Sequence, residues 1–138
     1  MCIRDSYRAL LEGVALEYGI YLKILGQIYK DFQPLEVRIT GGGGRSKVWN
    51  QIKADILGIP VVRIARTEGA PMGSALLAGF GVGLFNDLPR TAGKWIQAGE
   101  VTYPAKTGKT YSKERIRKYS AALRAVNLLY NEEKPDIQ

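Results

Sequence analysis

Hydrophobic residues recur along the chain with two different periods, and these periods predict its helices and strands. Spacings of three and four residues predict a long amphipathic helix from about Tyr7 to Lys30 and a closing helix over Ser112–Tyr130. Between them, the alternation in Leu35–Thr40 and the β-branched run in Pro60–Ala65 predict two short strands. The chain is therefore expected to be an α/β protein.

The middle of the chain adds three predicted helices. Ser46 is suited to cap the first of them, which ends at Gly58, and its buried stripe is expected to contain Val48, Trp49, Ile52 and Ile56. A second helix over Thr67–Phe85 is rich in small residues, so close packing or a ligand must offset the cost of its glycines. A short helix over Leu88–Ile96 follows, and residues 101–104 read as an extended link.

Four consecutive glycines, Gly41–Gly44, stand directly between the first strand and the helix that Ser46 caps. A strand, a glycine turn and a helix N-terminus commonly hold phosphate, because backbone N–H groups and the positive end of the helix dipole face the ligand. A plain connection that tolerates glycine is the alternative. A P-loop is excluded, because the glycine required before the "TGKT" of residues 107–110 falls on Tyr103, and that motif reads as a surface turn. A dinucleotide fingerprint also fails, because its last glycine falls on Ser46 or Lys47.

The amino-acid composition excludes several kinds of catalytic and metal site. The chain has no histidine and one cysteine, Cys2, which excludes Ser–His and Cys–His nucleophiles, imidazole zinc sites and an internal disulfide. A net charge of +7 raises the alternative of a nucleic-acid partner, but only Lys113–Tyr119 is densely basic, and that segment fits a solvated helix face better. Nucleic acid is therefore not predicted as a partner. There is no apolar run of roughly 18 residues and no secretory signal, so no membrane association is predicted and a cytoplasmic location is expected.

Two motifs in order resemble one family. "TGGGGRSKVWNQIKADILGIPV" (residues 40–61), followed by "EGAPMGSALLAGFGVGLF" (residues 68–85), resembles the C-terminal portion of the FGGY carbohydrate kinases, and of their xylulokinase-like members in particular. The resemblance covers most of the chain. It implies the C-terminal part of the second domain of an actin/hexokinase-like (ribonuclease H-like) ATPase fold.

The same resemblance implies a domain organisation. Residues 7–131 are expected to be a partial FGGY kinase C-terminal domain, preceded by a non-native leader at residues 1–6 and followed by a frayed tail at residues 132–138. In the family the small-residue helix packs at the interdomain hinge, which would account for its glycines.

The resemblance also assigns a cofactor site. Gly41, Gly42 and Gly43 are expected to face the phosphates and ribose of ATP, and Ser46 to reach toward the adenosine. Mg²⁺ is expected to accompany ATP, with its ligands mainly outside this chain and no metal ligand within it. Whether Arg45 and Lys47 contact phosphate or face solvent is left open.

The implied activity is transfer of the ATP γ-phosphate to a sugar hydroxyl of a xylulose-like pentulose or a related polyol or sugar acid. None of Asp31, Asp55 and Asp87 occupies the family's catalytic motif, so no catalytic residue is assigned and the chain alone is expected not to catalyse. The sugar is expected to bind mainly to an upstream half. A stand-alone nucleotide-binding or sensing module is the alternative, and a homodimer is left open.

Overall fold

The two apolar runs predicted as strands pair with each other in the computed structural model, which describes residues 2–65, 69–105 and 108–132. The chain forms two units. We call them the helical unit (Met1–Gln33, Asp55–Gly58 and Pro104–Gln138) and the sheet unit (Pro34–Ala54 and Ile59–Tyr103). Most of the tail predicted to be frayed, from residue 133 onward, lies outside the described residues.

The sheet has three strands in the order β1–β2–β3: Val37–Ile39, Val61–Ile64 and Ala98–Thr102. β1 and β2 are parallel, and β3 is antiparallel to β2 with an irregularity in the register between Val62 and Ile64. Val61, Val62 and Ile64 are buried, so the central strand supplies the apolar core of the sheet unit.

β3 replaces the extended link that the sequence predicts. Four of its five residues are exposed, and Ala98, Gly99 and Glu100 have low strand propensity, so the sequence carries no strand signal there. Pairing with β2 imposes the extended form. A side chain at Gly99 would bring Cβ to within 3.0 Å of the Arg63 carbonyl oxygen, so glycine permits this close approach.

Helix α2 (Lys47–Leu57) connects the two parallel strands. Ser46 caps it as predicted: Trp49 N donates to Ser46 Oγ at 3.3 Å. The helix ends before Gly58, whose φ of +69° only glycine adopts readily. Ile52 and Ile56 are buried as expected, but Val48 is 65% exposed, so its assignment to the buried stripe is wrong.

Helix α3 (Gly69–Gly81) ends earlier than the Thr67–Phe85 helix predicted from its small residues, and Thr67 and Glu68 lie outside the described residues. Leu84 N donates to the Gly79 carbonyl at 2.9 Å and Gly83 N to that of Phe80 at 3.1 Å, which is the hydrogen-bond pattern of a Schellman C-terminus. Gly83, at φ +72°, provides the left-handed residue that this ending requires. Helix α4 (Leu88–Trp95) follows.

The helical unit pairs α1 (Ile3–Ile28) with α5 (Gly108–Glu132). The two helices approach closely at Gly19, where an added Cβ would lie 2.6 Å from Cδ1 of Ile116. Glu12 on α1 forms an ion pair with Arg115 on α5 and a second with Arg8, at 2.9 Å. Residues 108–110 of the "TGKT" segment begin α5, so they are helical and do not form the predicted surface turn, and Thr107 lies outside the described residues.

α1 carries a second apolar face that is exposed to solvent. Its large hydrophobic side chains recur every three or four residues and are between 40% and 88% exposed: Ile3, Tyr7, Leu10, Val14, Tyr18, Tyr21, Ile24 and Ile28. An exposed stripe of this length is unusual for a surface without a partner. Within the described part of the chain, no helix is both long enough and apolar enough to cross a membrane.

The contact between Glu12 and Arg115 predicts acid sensitivity in the helical unit. The hydrogen bond from Arg115, and after it that from Arg8, lowers the pKa of the Glu12 carboxyl from its ordinary value of 4.5, and the Glu12 side chain is only 14% exposed. Because the folded pKa lies below the unfolded one, the stabilisation is complete above about pH 4.5 and is lost as the pH falls through the lowered pKa.

We therefore expect Glu12→Gln to lower the free energy of unfolding by about 1–2 kcal/mol near neutral pH, and by progressively less below pH 4.5. Urea denaturation over this pH range measures the difference. Glu114→Gln is the matched control, because Glu114 pairs with Lys118 within α5 and both side chains are more than half exposed. It should change stability much less than Glu12→Gln does, because solvent screens this exposed pair. Equal losses in the two variants would contradict the assignment.

Candidate functional site

The glycine loop, which we define as Gly41–Gly44, connects the end of β1 to the beginning of α2. A single 3₁₀ turn over Gly42–Arg45 forms most of it, and Gly44 N donates to the Gly41 carbonyl at 3.2 Å. Parallel pairing of β1 with β2 and the intervening α2 fix where the loop lies. The loop therefore stands at the carboxyl end of a strand and the amino end of a helix, as the sequence predicts.

The first two glycines of the loop face open space. Gly41 has φ +82° and ψ −175°, a backbone conformation that is essentially restricted to glycine. A Cβ added to Gly41 or Gly42 would meet no other atom within 4 Å. This part of the loop can therefore be approached closely by another molecule, and no side chain of the loop obstructs it.

The other two glycines are anchored to the protein. A Cβ on Gly43 would lie 2.5 Å from Cζ3 of Trp49, so the indole occupies the place of a side chain. Asn50, which is 5% exposed, donates from Nδ2 to the Gly44 carbonyl at 2.9 Å. Among the described residues its Oδ1 is a buried acceptor without a hydrogen-bond partner. The loop is thus held from α2 at Gly43 and Gly44 and open at Gly41 and Gly42.

Ser46 lies at the amino end of α2, beside the loop. Its Oγ accepts from Trp49 N at 3.3 Å, and its carbonyl accepts from Asn50 N at 2.9 Å. A hydroxyl that accepts one hydrogen bond can still donate its own proton. The structure brings Gly41, Gly42, Gly43 and Ser46, the four predicted cofactor-binding residues, into one continuous segment around the helix N-terminus.

Three cations lie near the loop. Lys47 Nζ is 3.2 Å from a Glu100 carboxylate oxygen, in an ion pair whose side chains are 80% and 48% exposed. Arg45 is exposed at the end of the 3₁₀ turn. Lys53 differs from both: it is only 4% exposed, and its Nζ lies 3.8 Å from the centroid of the Trp49 ring. Burial lowers the pKa of the Lys53 ammonium from its ordinary value.

Two of the three aspartates considered from the sequence, Asp55 and Asp87, have structural partners. Asp55 accepts from the backbone N–H of Ala105 at 2.8 Å, and Asp87 caps α4 by accepting from Arg90 N at 2.9 Å. Across the described ranges, no three residues of the types His, Cys, Asp and Glu are grouped so that they could hold a metal ion.

Sequence reasoning did not find Asn50 and Lys53. Asn in a helix interior and Lys in the sequence "NQIKAD" usually face solvent, so neither residue type marks a loop contact. The available signal was Ile52 and Ile56, whose burial brings the neighbouring Lys53 toward the buried side of α2.

The fold matches that of solved sugar kinases. A ligand-bound xylulose kinase from Lactobacillus acidophilus superposes on 92% of this chain with a TM-score of 0.73 and 22% identical residues. The predicted fold class is confirmed: the chain has the α/β architecture of the C-terminal part of an actin/hexokinase-like kinase.

Comparison of the sequence identifies the family to which the chain belongs. Residues 3–82 match the model of the C-terminal domain of the FGGY family of carbohydrate kinases, and the chain belongs to this family. It is 42% identical over 80 residues to L-fuculokinase of Escherichia coli K12, across 58% of this chain. It is 32% identical over 102 residues to a xylulose kinase of Staphylococcus epidermidis, across 72% of this chain.

The matched region is a minor part of each relative. It spans 17% of the L-fuculokinase and 20% of the S. epidermidis xylulose kinase, and the superposed region covers 25% of the L. acidophilus enzyme.

The division of the glycine loop predicts that neighbouring glycines respond differently to the same substitution. Gly43→Ala forces a methyl group against the rigid Trp49 ring and should lower the free energy of unfolding by about 1–3 kcal/mol. Gly42→Ala meets open space at a φ that alanine accepts, so it should leave stability unchanged or raise it by up to about 1 kcal/mol. Urea denaturation of the two variants measures both effects. A similar loss in both would mean that Trp49 does not hold Gly43.

Proposed function

We propose that this chain is the ATP-binding part of a carbohydrate kinase that transfers the γ-phosphate of ATP to a sugar hydroxyl. The observation that carries the proposal is the open half of the glycine loop, Gly41 and Gly42, at the N-terminus of α2 in a chain of the FGGY family. A helix N-terminus favours negative charge, and a backbone without Cβ atoms lets a phosphate approach closely.

In this site the nucleotide lies along the loop. We assign the phosphates and ribose to the backbone of Gly41, Gly42 and Gly43, with the Cβ side of Gly43 taken by Trp49. Ser46 Oγ, which already accepts from Trp49 N, keeps its proton to donate to the adenosine. The chain thus contributes positioning and electrostatic stabilisation, which account for most of the catalysis in phosphoryl transfer.

The reaction needs further groups. A base must take the proton of the sugar hydroxyl, and Mg²⁺ supplies charge neutralisation to the phosphates when it is bound. The carboxylates of Asp55 and Asp87 are engaged in backbone hydrogen bonds, and no metal-binding group is found in the described residues. We therefore infer that the base and the Mg²⁺ ligands lie outside these residues and that the chain alone does not catalyse.

The sugar is assigned by class. The L-fuculokinase and the xylulose kinase to which the chain is similar are both named for sugars with several hydroxyl groups, and a xylulose-like pentulose or a related polyol or sugar acid is the acceptor that we propose. We expect this enzyme to work in the cytoplasm, with ATP and the sugar as its ligands and without nucleic acid.

The proposal is tested with Gly42→Ala, whose methyl group occupies the space that we assign to the nucleotide. Binding of ADP to the 138-residue chain is measured by calorimetry and by the rise in melting temperature that ligand binding produces. We expect Gly42→Ala to weaken ADP binding at least about 10-fold, because a blocked phosphate contact removes a charge-assisted hydrogen bond, without lowering stability.

Gly73→Ala is the matched control, because its Cβ also meets no atom within 4 Å, but the residue belongs to α3 and not to the loop or α2. ADP should bind this variant as it binds the original chain. Equal ADP affinity in Gly42→Ala and the original chain would contradict the assigned site.

A further inference from the structure

Lys53 is placed in a way that lysine rarely is. Its side chain is only 4% exposed, although a lysine normally keeps its ammonium in water. In the part of the chain that the structure describes, no carboxylate oxygen lies within 4.0 Å of Lys53 Nζ. The contact it does make is with an aromatic ring, at 3.8 Å from Nζ to the centroid of Trp49.

Taking an ammonium out of water is costly, and burial lowers the pKa of Lys53 for this reason. The face of an indole is the most favourable aromatic surface for a cation, and the attraction is stronger when water is excluded. The ammonium and the ring therefore restrain each other.

The ring in turn reaches the glycine loop. The position that a Gly43 Cβ would take is 2.5 Å from Cζ3 and 3.2 Å from Cε3 of Trp49, so the indole edge lies directly against the loop backbone. Asn50, the next residue of α2, holds the Gly44 carbonyl at 2.9 Å. Lys53, Trp49 and Gly43 thus form one chain of contacts from the buried side of α2 to the loop.

We propose that Lys53 is a positioning residue of the nucleotide site: its ammonium fixes the indole of Trp49 against Gly43 and thereby holds the glycine loop in its binding conformation before the nucleotide arrives. The part concerning nucleotide affinity rests on the proposed function. The part concerning the order of the loop does not. Lys53 acts through Trp49 and does not touch the nucleotide.

The test removes the charge and keeps the volume, in Lys53→Met. All measurements are made in a Trp95→Phe background, so that Trp49 is the only tryptophan. Lys94→Met is the matched control, because Lys94 is exposed in the last turn of α4. Hydrogen exchange of residues 41–46 without nucleotide reports the order of the loop, Trp49 fluorescence reports its environment, and calorimetry gives the affinities for AMP and ADP.

In Lys53→Met we expect loop exchange to be faster and the affinity to be weaker, each by roughly 3- to 10-fold, which is the range a desolvated cation–π contact supports. Trp49 fluorescence should change as well. The melting temperature should stay the same or rise, because the variant no longer buries an unpaired charge. AMP and ADP should lose the same factor, because the loop that both contact has changed. Lys94→Met should change none of these quantities.

Unchanged hydrogen exchange of the loop in Lys53→Met overturns the proposal. An affinity loss for ADP that greatly exceeds the loss for AMP also overturns it, because it would mean that the Lys53 charge acts on the phosphates directly. If Lys53→Met does not fold, Lys53→Gln provides the same comparison with a polar side chain. Faster loop exchange in a protein whose original chain binds no ADP would support the positioning role and refute the proposed function, so the two failures are distinguishable.

Discussion

The structure depends on a steric constraint at Gly43, where the indole of Trp49 fills the space that any side chain would need. Because that residue has no Cβ, the first turn of α2 can close onto the loop before it and hold it from one side. The hydrogen bond from Asn50 Nδ2 to the Gly44 carbonyl fixes the next residue in the same way. A loop of four glycines, which would be highly flexible by itself, is therefore restrained in its second half by the helix that follows it.

This anchoring divides one short segment into two halves. Gly43 and Gly44 face α2 and Ile39, while Gly41 and Gly42 face open space. Because β1 and β2 are parallel, α2 must run back along the sheet between them, and its N-terminus therefore lies at the end of β1, next to the open glycines. A ligand that binds to a restrained loop loses less conformational entropy than one that must order a flexible loop.

The sequence predicted those features that arise from local patterns. Periodicity located α1, α2 and α5, the small residues located α3, and the glycines with Ser46 located the loop and the cap of α2. Local patterns failed where contacts distant in the sequence decide the structure. β3 exists because β2 pairs with it, although Gly99 and Glu100 are poor strand formers. The end of α3 is different, because it is set locally: the turn at Gly83 takes up the last carbonyls of the helix, while the apolar sequence continues.

The candidate site shows the same division. Its four predicted residues could be placed from the sequence, but the contact between Lys53 and Trp49 could not, since a lysine four residues after a tryptophan is common on exposed helix faces.

The central claim is that the open half of the glycine loop binds the nucleotide, and titration of the ¹⁵N-labelled chain with ADP, followed by amide chemical shifts, tests it most directly. We predict that the largest shift changes fall on the amides of Gly41, Gly42, Gly43 and Ser46. Saturable changes confined to other residues, such as those of α5, would contradict the claim.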